Sequence, residues 1–227
     1  MSFLGAALAP GNPWFSMRYL RDNSETILTA LREHVTLTVL TIVIGFLLAM
    51  PLALLARRYR VLAAPILSVA GLLYTVPSLA LFSILVPFTG LSQTTVVIGL
   101  VMYALLILIR NILTGLEGVP AEVRDAARGM GYSPLLLLLR VDLPIALPAI
   151  MAGIRIATVS TIALVTVGAT VGYGGFGALI INGFNNNFYR AEIATGALAC
   201  VLLALLADGM LLGTTRLLSP WSRARST

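Results

Sequence analysis

Lysine is absent from the 227 residues, cysteine and histidine occur once each, and only 9 residues are acidic. Charged residues make up 11% of the chain, where an ordinary soluble domain has about a quarter. So little polar surface does not cover a water-soluble globule. The missing lysine excludes a phosphate-binding loop of the GxxxxGK[ST] type, in which lysine reaches the β- and γ-phosphates. This chain is therefore not expected to hydrolyse ATP itself. Cys200, alone in an apolar run, neither closes an intrachain disulfide nor builds a zinc cluster, and reads as a small buried hydrophobe. His34 lies between Glu33 and Val35, without partners for a metal, and reads as a surface or interfacial histidine. No metal site is expected.

What is present is apolar: 59% of residues are hydrophobic and the mean hydropathy is +0.97. Charges avoid the middles of the long apolar runs, as a bilayer demands, because an ionised side chain at its centre costs at least a few kcal/mol. The net charge of +6 rests on arginine alone. These arginines stand at the ends of apolar runs instead of clustering with aromatics, so they read as topology determinants and no nucleic-acid partner is expected. The first fifteen residues, MSFLGAALAPGNPWF, lack the basic start of a cleaved signal peptide, and Pro10, Gly11 and Pro13 break any early helix. Membrane insertion then rests on the first true span.

A span needs about 20 apolar residues at 1.5 Å rise each. Five stretches qualify: Val35–Ala56, Leu62–Phe88, Thr94–Leu116, Leu147–Val171 and Ile193–Leu218. Residues 1–34 are expected to form an N-terminal interfacial segment, with an amphipathic helix between Trp14 and Glu33. Residues 35–218 make the membrane domain, and 219–227 a tail. With the N-terminus outside, Arg57, Arg58, Arg60, Arg124, Arg128, Arg140, Arg216, Arg223 and Arg225 face the cytoplasm, against Arg18, Arg21, Arg32 and Arg190 outside. The excess of inward-facing arginine favours N-out, C-in, and an odd number of spans agrees with it.

Between spans three and four stands a polar insert, residues 117–144. Pro120 suits a first helical position, Glu122 the following turn, and Gly131 the positive φ that ends a helix. Ser133 and Pro134 read as the cap and first residue of a second short helix, which Leu135–Leu139 would tie to the bundle. Ala126 and Ala127 leave one side of the first helix almost bare, so another protein's backbone can approach, while Arg124, Asp125 and Arg128 offer charged contacts around it.

Here the chain resembles a family. Asp125, Ala126 and Ala127, three residues, Gly131, nine residues, then Val141, Asp142, Leu143 and Pro144 reproduce the spacing of the EAA loop of binding-protein-dependent ATP-binding cassette importers. Asp125 replaces the usual Glu, and Val141 the usual Ile; both conserve the chemistry. The resemblance implies an all-α integral membrane protein with the five-span core of a type I, methionine-importer-like permease. It also implies a coupling helix docked in a cleft of a separate ATPase subunit, which holds ATP and Mg, with Arg124, Asp125, Ala126, Ala127, Arg128, Gly129, Gly131, Leu143 and Pro144 as coupling residues. A second permease chain, identical or paralogous, and an external binding protein, soluble or lipid-anchored, complete the expected assembly in a bacterial inner membrane.

A second level of resemblance, to permeases for glycine betaine, choline or carnitine, rests on YLRDNSETILTALREHVTLTVL, LLYTVPSLALFSILVPFTG and GYGGFGALIINGF. An amino-acid importer of the methionine type is the alternative. A quaternary ammonium is held by aromatic faces at about 0.5 to 2 kcal/mol each. Tyr74, Tyr103, Tyr173, Phe176 and Phe184 can supply such faces or serve as packing and interfacial anchors. A secondary transporter would show carboxylates near the midplane and inverted repeats; Asp208 is a single candidate and no repeat is evident.

Arg155 and Asp208 interrupt apolar runs at similar distances from their arginine-marked ends, and are expected to pair with each other or with backbone carbonyls or water. Arg110 is close enough to a span end to snorkel. Proline removes a backbone donor, so the chain near Tyr74, Pro77 and Ser78 is expected to break or kink, a candidate gate. Gly172, Gly174 and Gly177 fit the letters of GxGxxG but follow an apolar span and not a strand. They are expected to let irregular backbone line a path at the outer mouth, together with Tyr103 and Phe176. Gly168 with Gly172, and Gly209 with Gly213, have the spacing of close helix contacts.

Overall fold

The computed structural model describes residues 11–219. Pro10, Arg223, Arg225 and the tail beyond Ser219 lie outside the described residues. Among the described residues, ten α-helices follow in chain order. The first half holds α1 (Met17–Asp22), α2 (Ser24–Arg58), α3 (Arg60–Thr75), α4 (Ser78–Thr89) and α5 (Gln93–Glu117). The second holds α6 (Ala121–Gly129), α7 (Pro134–Leu137), α8 (Leu143–Gly168), α9 (Phe176–Asn185) and α10 (Arg190–Leu218). A π-helical turn, Leu138–Asp142, joins α7 to α8, and a 3-10 turn, Ala169–Val171, ends α8.

Three helices, α2, α5 and α10, and the run Pro134–Val171 are long and apolar enough to cross a bilayer singly. The pair α3 and α4, bent by 97° at a short break, makes a fifth crossing if taken together. Pro77 is the residue ahead of α4; with no N–H of its own it cannot carry the helix onward, and Thr75 caps its own turn by donating to Leu72 O.

Two expected boundaries shift. The division at residue 34 falls inside α2, because residues 24–34 contain no breaker and Glu25 suits the first turn as Arg57 and Arg58 suit the last. An amphipathic helix over Trp14–Glu33 is thus replaced by the short α1 and the first three turns of α2. The second short helix of the insert is likewise no separate element. Ser133 Oγ accepts from the Leu136 backbone N–H and Pro134 opens α7 as expected, but the chain then runs through the π turn into α8 without interruption. In that turn the Leu143 N–H reaches back to Leu138 O, a widened loop directly ahead of Pro144, whose ring would otherwise crowd the preceding turn. A further element, α9, lies between the fourth and fifth spans, where no helix was expected.

The chain packs as two compact units, and the long helices contribute to both. Among the described residues, the first comprises those up to Thr41, Val76–Val101 and Val159–Leu206. In it Ala30, Phe176 and Leu179 form an apolar cluster. Tyr19 stacks edge-on against Tyr189, and burial together with the charge of Glu192 pushes its phenol up to about 12. Asn12 accepts from the Arg190 backbone N–H, and the Arg190 guanidinium lies over the Trp14 ring at 5.4 Å.

The second unit comprises Ile42–Thr75, Met102–Thr158 and the described residues from Ala207 onward. Its core joins Ala49, Ala53 and Ala56 of α2 to Ala104, Leu108, Ile112 and Leu116 of α5, with Ala146 and Ile150 of α8. Small side chains at helical spacing on α2 let the backbones approach closely, which is how helices associate where lipid supplies no hydrophobic drive.

Candidate functional site

The candidate site is α6 and the turns that hold it, all within the second unit. Pro120 stands one residue before the helix, in extended conformation, so Ala121 takes the first helical position and Glu122 lies in the first turn. At the other end the Tyr132 N–H reaches Ala127 O at 3.1 Å and the Gly131 N–H reaches Arg128 O at 2.9 Å. Gly131 closes this arrangement at φ +83°, a conformation that a β-carbon disfavours. Gly129 is the last helical residue.

The helix surface divides in a way that residue type alone did not settle. Glu122, Val123, Asp125, Ala126, Arg128 and Met130 are exposed, while Ala127 is buried in its own unit. Only Ala126 of the alanine pair is therefore open to another chain. Arg128 and Asp125 pair at 2.9 Å on the open face. Arg124, expected among the outward contacts, instead turns inward: its Nε donates to Asp142 Oδ1 at 2.9 Å and its Nη2 to Leu116 O. Leu143 and Pro144, half-buried, begin α8 immediately after Asp142.

Asp142 is the group the sequence reading passed over. It is buried, and its second oxygen accepts from Arg57 Nη2 at 2.6 Å. Arg57 had been counted only as a topology charge. The available signal was an acid set among leucines and prolines, a position that demands a cationic partner.

The other expected site residues fall into separate groups. In the second unit Tyr74 and Tyr103 meet edge-on at 5.9 Å, Tyr103 buried and Tyr74 open. Arg155 Nε and Nη2 donate to Asp208 Oδ1 and Oδ2 at 2.9 and 2.8 Å, a two-pronged pair between α8 and α10. Arg110 is exposed. In the first unit the glycine segment is packed from Gly174 to Gly177, whereas Gly172 is exposed with open space around it. A β-carbon on Gly177 would lie 2.2 Å from Thr166 O, and one on Gly174 2.2 Å from Ala169 N. Phe176, expected at a path, is 2% exposed and lies against His34. Gly172, at φ +91°, ends the 3-10 turn. Pro77 and Ser78 start α4. Gly168 packs on Val96 and the Tyr173 carbonyl, whereas Gly209 and Gly213 face open space.

His34 is fully buried, not interfacial. Its Nε2 lies 3.0 Å from Ile162 O and its Nδ1 accepts from the Phe176 N–H at 3.3 Å. Glu33 Oε1 accepts from the Gly175 N–H at 3.3 Å. Two consecutive side chains on α2 thus tie down the glycine segment, a role invisible in sequence because the partners are 142 residues apart.

The chain is thus a multi-span helical bundle with a short, charged helix between two spans. The model of the family described as binding-protein-dependent transport system inner membrane component matches residues 37–221. The chain belongs to that family. The osmoprotectant import permease protein OsmW of Salmonella typhimurium is 35% identical over 201 residues, covering 86% of this chain and 93% of that protein. The choline transport system permease protein OpuBB of Bacillus subtilis is 32% identical, covering 90% and 94%. Among solved structures, an inward-facing MetNI methionine ABC transporter superposes with a TM-score of 0.76 at 20% identity, over 86% of this chain and 97% of that one. At that identity the likeness establishes the fold alone. The protein is a multi-pass permease subunit of an ATP-driven importer, and ATP hydrolysis belongs to a separate subunit.

Proposed function

We propose that this chain imports a quaternary-amine osmoprotectant such as glycine betaine, choline or carnitine, handed over by an external binding protein, through alternating access. The path forms between two permease chains. The N-terminus lies outside and the C-terminus in the cytoplasm, so that α6 faces a pair of ATPases that hold ATP and Mg²⁺. One observation carries the coupling role: α6 presents a continuous exposed face, Glu122, Asp125, Ala126 and Arg128, from a helix closed by Gly131 and anchored to the bundle by its opposite side. The cargo class is supported by what the relatives are named for, osmoprotectants and choline. Tyr74 and, in the other unit, Tyr173 and Phe184 keep ring surface open, as recognition of a quaternary ammonium requires.

The test uses the whole complex, purified with its ATPase and binding protein and reconstituted in vesicles. Wild type is expected to co-purify with the ATPase and to take up glycine betaine, choline or carnitine, but not methionine, when ATP is supplied. Gly131→Pro cannot adopt φ +83° and lacks the N–H given to Arg128 O. The variant is expected to insert normally yet lose substrate-stimulated ATP turnover. Retained stimulation in a normally inserted variant refutes the coupling assignment, and methionine uptake alone refutes the cargo.

A further inference from the structure

The coupling helix is joined to its neighbours by two short connections, each with a glycine: Gly118 before it and Gly131 after it. Connections of this kind absorb rotation, so covalent linkage alone does not oblige the spans to follow α6. Side-chain contacts must do so. Arg124 leaves the exposed face of α6 and holds both Leu116 O, at the end of α5, and Asp142, at the start of α8. Arg57, from the last turn of α2, takes the other oxygen of the same carboxylate. Each oxygen of Asp142 has a different arginine.

We propose that Arg57, Asp142 and Arg124 form the transmission node of the permease, through which α6, the ends of α2 and α5, and the start of α8 move as one body. The proposal rests on the importer reading and adds to it the residues that carry the motion inward. Three features fit transmission and not simple anchoring. The node joins four elements at one buried point, with 4% of the Asp142 side chain exposed. Charge-assisted contacts with a two-oxygen acceptor fix orientation as well as distance. The π turn sets Asp142 directly before the long helix that would carry the motion through the bundle.

The charge count yields an asymmetry. Two cations share one anion, so removing Arg57 leaves the neutral pair Arg124 and Asp142. Removing the Asp142 charge leaves two half-buried guanidiniums facing each other, a more damaging change. Asp142 is thus a positioning residue, and its effect should appear in the coupling ratio.

The complete complex, reconstituted in vesicles, is assayed for assembly, ATP hydrolysis and substrate moved per ATP hydrolysed. In Asp142→Asn, ATP hydrolysis is expected to persist while substrate moved per ATP falls by about tenfold, the range of a typical coupling between sites. Arg57→Gln is expected to lower the ratio less, and Asp142→Glu to recover most of it. A ratio unchanged in Asp142→Asn, or hydrolysis and transport falling together in proportion, overturns the node and leaves these residues as a structural pin. Should Asp142→Asn fail to assemble, Arg57→Gln decides: a lowered ratio upholds the proposal and an unchanged one overturns it. A wild-type chain that engages no ATPase sinks the importer reading and the node with it. Normal wild-type coupling with indifferent variants sinks the node alone.

Discussion

At the scale of single residues, an ion pair within hydrocarbon is sensitive to which member is removed. A charge that has lost its partner is worse placed than no charge, because lipid offers nothing to solvate it. Arg155 and Asp208 share two hydrogen bonds between α8 and α10, so each single substitution strands the other residue. Asp208→Leu and Arg155→Leu are each expected to lower the unfolding temperature of the detergent-purified chain, and the double substitution to lie closer to wild type than either. A thermal-shift series checks this; strictly additive losses mean that the pair contributes no interaction of its own. These two charges were legible in the sequence because rare ions in apolar runs stand out and helical rise sets their depth. Asp142 and Arg57 were not, since 85 residues separate them and both lie at span ends, where charges are ordinary.

Among elements, hydropathy located the crossings but not the helix ends. The apolar run that begins at Val35 marks where lipid begins; the helix itself starts at Ser24, because residues with mixed polarity are still good helix formers in the absence of a breaker. Prolines do not mark helix ends reliably either. Pro51, Pro65, Pro87 and Pro148 all lie inside helices, where the lost hydrogen bond is tolerated in a packed bundle. At Pro77, by contrast, the chain bends by 97° between two helices. The glycine segment before α9 shows what composition hides, for it is held by side chains of a distant helix. His34 joins Ile162 O to the Phe176 N–H, so His34→Ala takes the partner from the buried Phe176 N–H, while Ile162 O still accepts from Cys200 Sγ. Losing such a partner costs about 1 to 3 kcal/mol, equivalent to roughly 5- to 150-fold faster local opening. Hydrogen exchange at Phe176 is expected to accelerate by that factor, while amides of α5 in the second unit hold their rates. Unchanged exchange at Phe176 removes His34 as the tie.

For the whole molecule the open matter is which end faces the cytoplasm, and the two packed units sort the arginines. The first holds Arg18, Arg21, Arg32 and Arg190; the second holds Arg57, Arg58, Arg60, Arg110, Arg124, Arg128, Arg140, Arg155 and Arg216. Acids do not follow this bias, with Asp22, Glu25, Glu33 and Glu192 in the first and Glu117, Glu122, Asp125, Asp142 and Asp208 in the second. Basic residues, more than net charge, decide orientation, and the proposed cytoplasmic placement of α6 rests on this bias. Two exposed positions report on this directly, Met130 beside α6 and Leu91 in the turn before α5, each 68% exposed. In a background with Cys200→Ala, a membrane-impermeant maleimide is expected to label Leu91→Cys in intact cells and Met130→Cys only after the membrane is opened. The reverse pattern would place α6 outside, out of reach of any ATP-consuming subunit. The exposed face of α6 would then have to bind something else, and neither the coupling role nor the transmission node would survive.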